Sequence, residues 1–416
     1  MMKAKQNSER GQAMIMIVFG FIGIVAMVAL TVDGGNVFLD RRQAQNAADT
    51  AAYAAALANL NSQSISQAGL GRAADNGFNN DGVSSTVTVN NPPIAGCGGV
   101  SSPYAGDNQY IQVIINSFVD PYFAQIIGIN QMENCVESIV RARPAYVAPL
   151  FDGHAVVGLA PTGCSVSLQG NTDTIINLSG LFTNSNFCNN SGSVELTTPY
   201  LNVVGTAYYN QNATINTTIN YNQTRYPYPP VIDVPTPTCS GSYGNVDWTG
   251  DADTKTRMLT PGIVNGNFPP NLGGGQKVVA LQSGIYCITG NVSLNDDLQG
   301  AGILLYVPNG SVSANGNGTL NLSAMTTGPY ADMLIYAPIT NNSSFTINGS
   351  SSNSYTGTIL APGANVTING SSGTFALNSQ IVAYTVTFSG SSEIRITYND
   401  GDNYDESHPA AIELTR

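Results

Sequence analysis

The hexapeptide Thr-Ile-Asn-Gly-Ser-Ser stands at Thr346–Ser351 and again at Thr367–Ser372, 21 residues later, and Phe388–Ser392 repeats its core after a further 20. A second series interleaves with it: Leu304–Pro308, Leu334–Pro338 and Ile359–Pro362, with prolines 30 and 24 residues apart, continued without proline by Gln380–Tyr384. One short strand plus a turn, recurring every 20–30 residues, is the mark of a solenoid. Strands this short, β-branched and closed by Asn-Gly or Ser-Gly turns favour a parallel β-helix over a helical repeat. The expected solenoid covers residues 154–398, with Thr346, Thr367 and Thr387 stacked in successive coils. Val156–Leu201 carries the same vocabulary less regularly, and the turn-rich stretch at about 221–275 reads as an excursion from the coils. A pair of β-sandwiches is the runner-up fold.

Composition agrees with such a stack. Only 10% of the residues are charged, because a solenoid surface is covered by Asn, Ser and Thr rather than by ion pairs. The 42% hydrophobic content and 20 tyrosines supply a core and argue against disorder. A net charge of −12 argues against nucleic acid as a partner. Two histidines and fourteen basic residues leave little for acid–base catalysis. Charge is also uneven: residues 1–72 hold six basic and four acidic residues, net +2, so the other 8 basic and 22 acidic residues give the remainder −14.

Between Arg10 and Asp33 there is no charge at all. Gln12–Val32, 21 residues, is about 31 Å long as a helix and matches a bilayer core. It is longer than the apolar region of a cleaved signal and runs into a second helical pattern, so a membrane anchor is expected. Lys3, Lys5 and Arg10 against Arg41 and Arg42 bias the N-terminus toward the cytoplasm. After Gly34-Gly35, where the helix is expected to loosen, Val37, Arg41, Ala44, Ala48, Ala51, Ala55 and Ala58 fall on one helical face. Small side chains there admit a close neighbour. Residues 12–62 thus read as anchor and stalk, following a leader at 1–11.

Residues 84–146 read as a small α+β head. Residues 84–90, 110–117 and 135–143 alternate as strands. Val119–Ile129 is predicted to be a helix, with Asp120 as N-cap and Pro121 at its first position. The result is a β-β-α-β unit, followed after the solenoid by an acidic tail at 399–416. The fold class is therefore α+β, mainly β: a long transmembrane, pilin-like helix, a small head and a C-terminal parallel β-helix.

Arg10-Gly11-Gln12-Ala13, the apolar run, Val32-Asp33-Gly34-Gly35 and Arg41-Arg42-Gln43-Ala44-Gln45-Asn46-Ala47-Ala48-Asp49 resemble the start of TadE/TadG-like proteins of Tad (tight adherence) pilus assembly. The resemblance is close over about 9–60 and loose over 84–146. It implies a membrane-anchored, exported protein with a pilin-like helix and head, which partners the membrane and other pilus-assembly proteins or itself. It also marks Gly11 and Gln12 as a prepilin-like junction. Processed pseudopilins carry Glu at the fifth position after the cleaved glycine, whereas Met16 stands there here. A new amine at Gln12 would then have no acid before Asp33, so the N-terminus is expected to remain uncleaved. The integrin-like metal motif of larger members, D-x-S-x-S, is missing.

Six cysteines (Cys97, Cys135, Cys164, Cys188, Cys239, Cys287) permit fifteen pairings. With no C-x-x-C and no nearby histidine, zinc is disfavoured and disulfides of an exported chain are expected. Sequence neighbours suggest Cys97–Cys135, Cys164–Cys188 and Cys239–Cys287. The many N-x-S/T triplets follow from composition, and the acidic run Asn399–Glu406 lacks EF-hand spacing, so no metal or cofactor is expected. Three functions compete: a Tad-like pilus assembly or structural protein, an adhesin that binds a surface glycan or a host or abiotic surface through the β-helix, and a β-helix carbohydrate-active enzyme. Coils 300–398 hold only Arg395, Asp332 and Glu393 as charged residues, which is no reacting set. The expected protein is therefore no enzyme but a single-pass protein of the bacterial cytoplasmic membrane, with its bulk periplasmic or extracellular.

Overall fold

A computed structural model describes residues 10–248, 255–315 and 318–415, with side chains from Met14 onward. The chain forms two units, residues 1–146 joined by 409–416, and residues 147–408.

The first unit opens with helix α1 (Arg10–Leu60), 51 residues and about 77 Å long. It runs unbroken through Gly34-Gly35. The expected loosening does not occur, because the sequence on both sides is helix-forming and two glycines cost only about 2 kcal/mol. Its first half carries exposed apolar side chains from Met14 to Val32. Its second half buries Ala44, Ala48, Ala51, Ala55 and Ala58, with Val37 half-buried, but Arg41 is exposed. Ala47, Ala52 and Ala56 are buried as well. The face is wider than one heptad stripe because two partners cover it: helix α2 (Ile65–Asp75) and an antiparallel sheet. A Cβ on Gly69 would lie 2.8 Å from Val89 and 3.5 Å from Ala55. Only glycine lets α2 settle that close.

The sheet is β1 (Ser85–Asn90), β2 (Tyr110–Val119), β3 (Met132–Arg143) and, as a fourth strand beside β3, Ala411–Leu414. Two expectations are corrected here. The helix over Val119–Ile129 is a single 3₁₀ turn, Ala124–Ile127, stopped by Gly128 in the left-handed region. Extended pairing holds β2 as far as Val119, so only a short connection remains before β3. Residues 399–416 are no free tail either: Ala411–Leu414 completes the head sheet, and Asn403 and Tyr404 are buried against the solenoid.

The second unit is a parallel β-solenoid of about 11 turns. Thr346 pairs with Thr367 and Thr367 with Thr387, all in parallel. Inside the stack lie aliphatic and aromatic side chains such as Phe345, Phe375, Phe388 and Ile394, each fully buried. Outside, the repeat's asparagines form a ladder. Asn315 donates to Asn295 at 2.6 Å, Asn348 to Asn315 at 3.3 Å, and Asn369 to Asn348 at 2.6 Å. Each side-chain amide thus has a partner one turn away, as in other cross-β stacks.

The order of the turns is not the order of the sequence. Ile381–Gly390 pairs in parallel with Val156–Gly158 and Cys164–Leu168, and Glu393–Thr397 pairs with Asp173–Asn177. The axial order is therefore 256 to 397, then 156 to 220, and one shared turn is made from both ends of the unit. Residues 221–240 carry the chain back along the stack as an extended strap rich in proline. At about 3.1 Å per residue it reaches some 60 Å, enough to cross nine turns spaced about 4.8 Å apart. The expected excursion is thus shorter than 221–275 and lies on the solenoid: Thr256–Leu259 and Gly262–Val264 are already part of a turn.

Candidate functional site

The C-terminal end of the apolar half of α1 is held by two carboxylates. Asp33 accepts hydrogen bonds from the backbone amides of Tyr122 (2.8 Å), Phe123 (3.1 Å) and Ala124 (2.8 Å). It thereby caps the 3₁₀ turn from another element, the role expected of Asp120. Two turns of helix further on, Asp40 accepts from Ser117 and, at 2.7 Å, from Asn134, whose amide also reaches the carbonyl of Val37 at 3.1 Å. The sequence marked Asp33 as the end of the apolar run and as part of the family resemblance, not as a cap. Its partners lie 89–91 residues away, which no local pattern shows.

Beside this clamp a groove of about 580 Å³ runs between the helix (Ala26, Leu30, Val37) and the β2–β3 loop (Phe123, Ile127, Met132). Tyr122, Ile126 and Ile127 of that loop are 72–83% exposed.

On the solenoid, the permuted order of turns assembles what the sequence kept apart. Glu393, Asp173 and Glu195 stand directly opposite one another on three successive turns. Arg395 pairs with Glu393 at 2.7 Å. Burial first, then the charges of Glu195 and Glu393, push the Asp173 carboxyl above its ordinary value of 3.8, against the pull of Arg395. Counting charges over 300–398 alone missed Asp173 and Glu195. The folded state thus holds this proton more tightly than the unfolded chain, so stability falls as pH rises through the interval above about 3.8. Asp173→Asn is expected to raise stability at pH 7 by about 0.5 kcal/mol, as relief of like charges across a sheet does. It should do nothing at pH 3, where thermal unfolding midpoints of variant and wild type should coincide.

Buried His154 is committed structurally. Its Nδ1 lies 2.7 Å from the carbonyl of Phe151, and its Nε2 lies 2.9 Å from Asn202 Nδ2. Burial pushes its pKa down. Among the described residues no group of three or more His, Cys, Asp or Glu is arranged to hold a metal. At the 220 end of the solenoid, Tyr208, Tyr209 and Tyr221 stand exposed around a cleft shared with Asn189, Asn190 and Asn210.

The cysteines pair as Cys97–Cys135 in the head, Cys164–Cys188 between adjacent turns, and Cys239–Cys287 between the strap's far end and a turn. Gly11 and Gln12 lie in the first turn of α1. The side chain of Gln12, and the leader before Arg10, fall outside what the structure describes.

These features define a class: a protein with, among the described residues, one helix long and apolar enough to cross a membrane, a small antiparallel head, and a disulfide-bonded parallel β-solenoid. Residues 11–58 match the family model described as putative Flp pilus-assembly TadE/G-like. No curated protein and no solved structure matches the chain. A Tad-like N-terminal region and a membrane-crossing helix fit a membrane-anchored, pilus-related protein that carries a solenoid.

Proposed function

We propose that this protein is an assembly or structural component of a Tad-like pilus, held in the bacterial cytoplasmic membrane by residues 12–32 with its N-terminus in the cytoplasm, and that it displays the β-solenoid on the outer side. The observation that carries this reading is the connectivity of the head. The chain leaves it after β3 and returns as the fourth strand of the same sheet, so the solenoid is an insertion borne by a Tad-like anchored unit. Three disulfides suit an oxidising compartment outside the cytoplasm. Its partners are then other pilus-assembly proteins or further copies of itself. Catalysis is no part of this reading. The acidic row of Glu393, Asp173 and Glu195 is taken as surface, and the one buried imidazole is occupied. Deleting the gene should reduce assembled pili, and the solenoid should be accessible to protease added to spheroplasts. Unchanged piliation together with a protease-protected solenoid would overturn the proposal. Retention of the N-terminus belongs to the same reading, and a mature chain that begins at Gln12 would refute that part.

One observation favours a second reading, adhesion. Exposed tyrosine rings beside asparagine amides, as at Tyr208, Tyr221 and Asn210, are the chemistry that binds sugar rings and hydroxyls. Tyr208→Ala with Tyr221→Ala should then lower glycan binding about tenfold, as loss of two aromatic contacts implies. Piliation should stay normal.

A further inference from the structure

The β2–β3 loop of the head has a composition unlike the rest of that unit. From Pro121 to Met132 it holds no charged residue, and Asp120 and Glu133 bracket it. Tyr122 is 72% exposed, Ile126 83% and Ile127 78%. Large apolar side chains clustered in this way mark an interaction surface.

The backbone of the loop is prepared to leave water. The amides of Tyr122, Phe123 and Ala124 are taken by Asp33. Those of Ile126, Gly128 and Ile129 are bonded to the carbonyls of Phe123, Gln125 and Ala124 at 3.0–3.1 Å. A segment entering an apolar medium needs its polar backbone satisfied internally, since each unmade bond costs several kcal/mol there.

Position decides the partner. The loop does not only meet the helix at Asp33. It runs beside it down to Ala26, forming the apolar groove with Ala26 and Leu30. Ala26 lies seven residues below Asp33, about 10 Å along the helix. If residues 12–32 fill the hydrocarbon core, a loop alongside 26–32 is at the depth of the outer acyl chains.

We propose that residues 121–132 form a wedge that dips into the outer leaflet beside the anchor, with Ile126 and Ile127 among the acyl chains, Tyr122 at the headgroup boundary, and a lipid chain in the groove. The inference rests on the membrane-anchor reading above. The depth, about 10 Å, is that of interfacial apolar segments, and tyrosine belongs at that boundary. Asp33 acts as a positioning residue. It ties the wedge to the helix and thereby fixes the head at one depth and one rotation on the bilayer.

The test uses the full chain in vesicles of phosphatidylethanolamine and phosphatidylglycerol that contain brominated acyl chains. The protein has one tryptophan, Trp248, so Trp248→Phe supplies a silent background for Ile126→Trp. Ile94→Trp, at a head residue 54% exposed beside Gln112, toward the end of β2 remote from the loop, serves as control. Quenching of the indole at 126 is expected to exceed that at 94 by at least about twofold, as for an interfacial side chain, with blue-shifted emission. Asp33→Asn should cut that excess to about half or less by releasing the loop. Water-like emission at 126 without lipid quenching overturns the proposal. So does blue-shifted emission without quenching, which would mean that a second protein surface covers the loop. Flotation of the same samples separates the readings. Protein that fails to float with the vesicles refutes the anchor itself, whereas floating protein with an unquenched indole refutes only the wedge.

Discussion

Replacing Cys239 and Cys287 together by serine is expected to cost about 4 kcal/mol, the chain-entropy value for a closed loop of this size. The sequence separation is 48 residues. This bond has more to hold than its loop. The strap is bonded near residue 226, where Tyr226 exchanges two backbone contacts with Asn184 at 2.8 and 3.0 Å. Midway, Tyr228 packs on Tyr384 and the amide of Asp233 donates to Glu406. Between 221 and 240 no ladder supports it. Without the bond, the terminal turn that the strap delivers, Thr256–Val264, is held only by its one neighbouring turn and the short strand Asn245–Asp247. Faster hydrogen exchange is therefore expected at Gly262–Val264 than at Ile381–Gly390. Limited proteolysis should cut first between 230 and 245. Equal protection of both regions, with no new cleavage, would show that the strap is held by packing alone.

The second large effect lies inside the stack. Phe375 is fully buried, meets Tyr355 edge-on at 5.8 Å, and lies over Gly349 of an adjoining turn. Phe375→Ala is expected to cost about 3–5 kcal/mol through lost burial and a cavity that neighbouring turns cannot fill. Gly349→Val should do comparable harm for the opposite reason, since a Cβ there would lie 2.1 Å from the ring. A solenoid turn contacts only its neighbours, so the defect should weaken coupling between the two sides of the stack. Calorimetry of the full chain should show the solenoid transition lowered or split, while the head transition is kept. A single unshifted transition for Phe375→Ala would contradict the packing described.

How much of this was readable from residues alone depends on the range of the interaction. The coil fold was legible because Thr346, Thr367 and Thr387 are copies whose spacing equals one turn, so sequence period and spatial stacking are the same quantity. The apolar helix long enough to span a bilayer was legible because 21 uncharged residues carry that signal in their own composition. The alanine face of α1 was legible in position but not in width, since α2 and the sheet approach from two directions. Asp120 looked like an N-cap by every local rule, yet β2 runs through Val119 and the cap comes from Asp33, whose carboxylate reaches amides far along the chain.

What the residues by themselves determined is whatever follows from local period and solvent: the long apolar helix, the repeat, and the polar, nearly uncharged surface. The tertiary structure alone decided the order of the turns and everything that hangs on it, including the shared turn made from 156–168 and 393–397, the strap, and the row of Glu393, Asp173 and Glu195. Parallel turns of similar width present nearly the same edge to any neighbour, so local pattern does not distinguish stacking in chain order from stacking in permuted order. Closing one turn from two distant segments is settled only when both edges are present to pair.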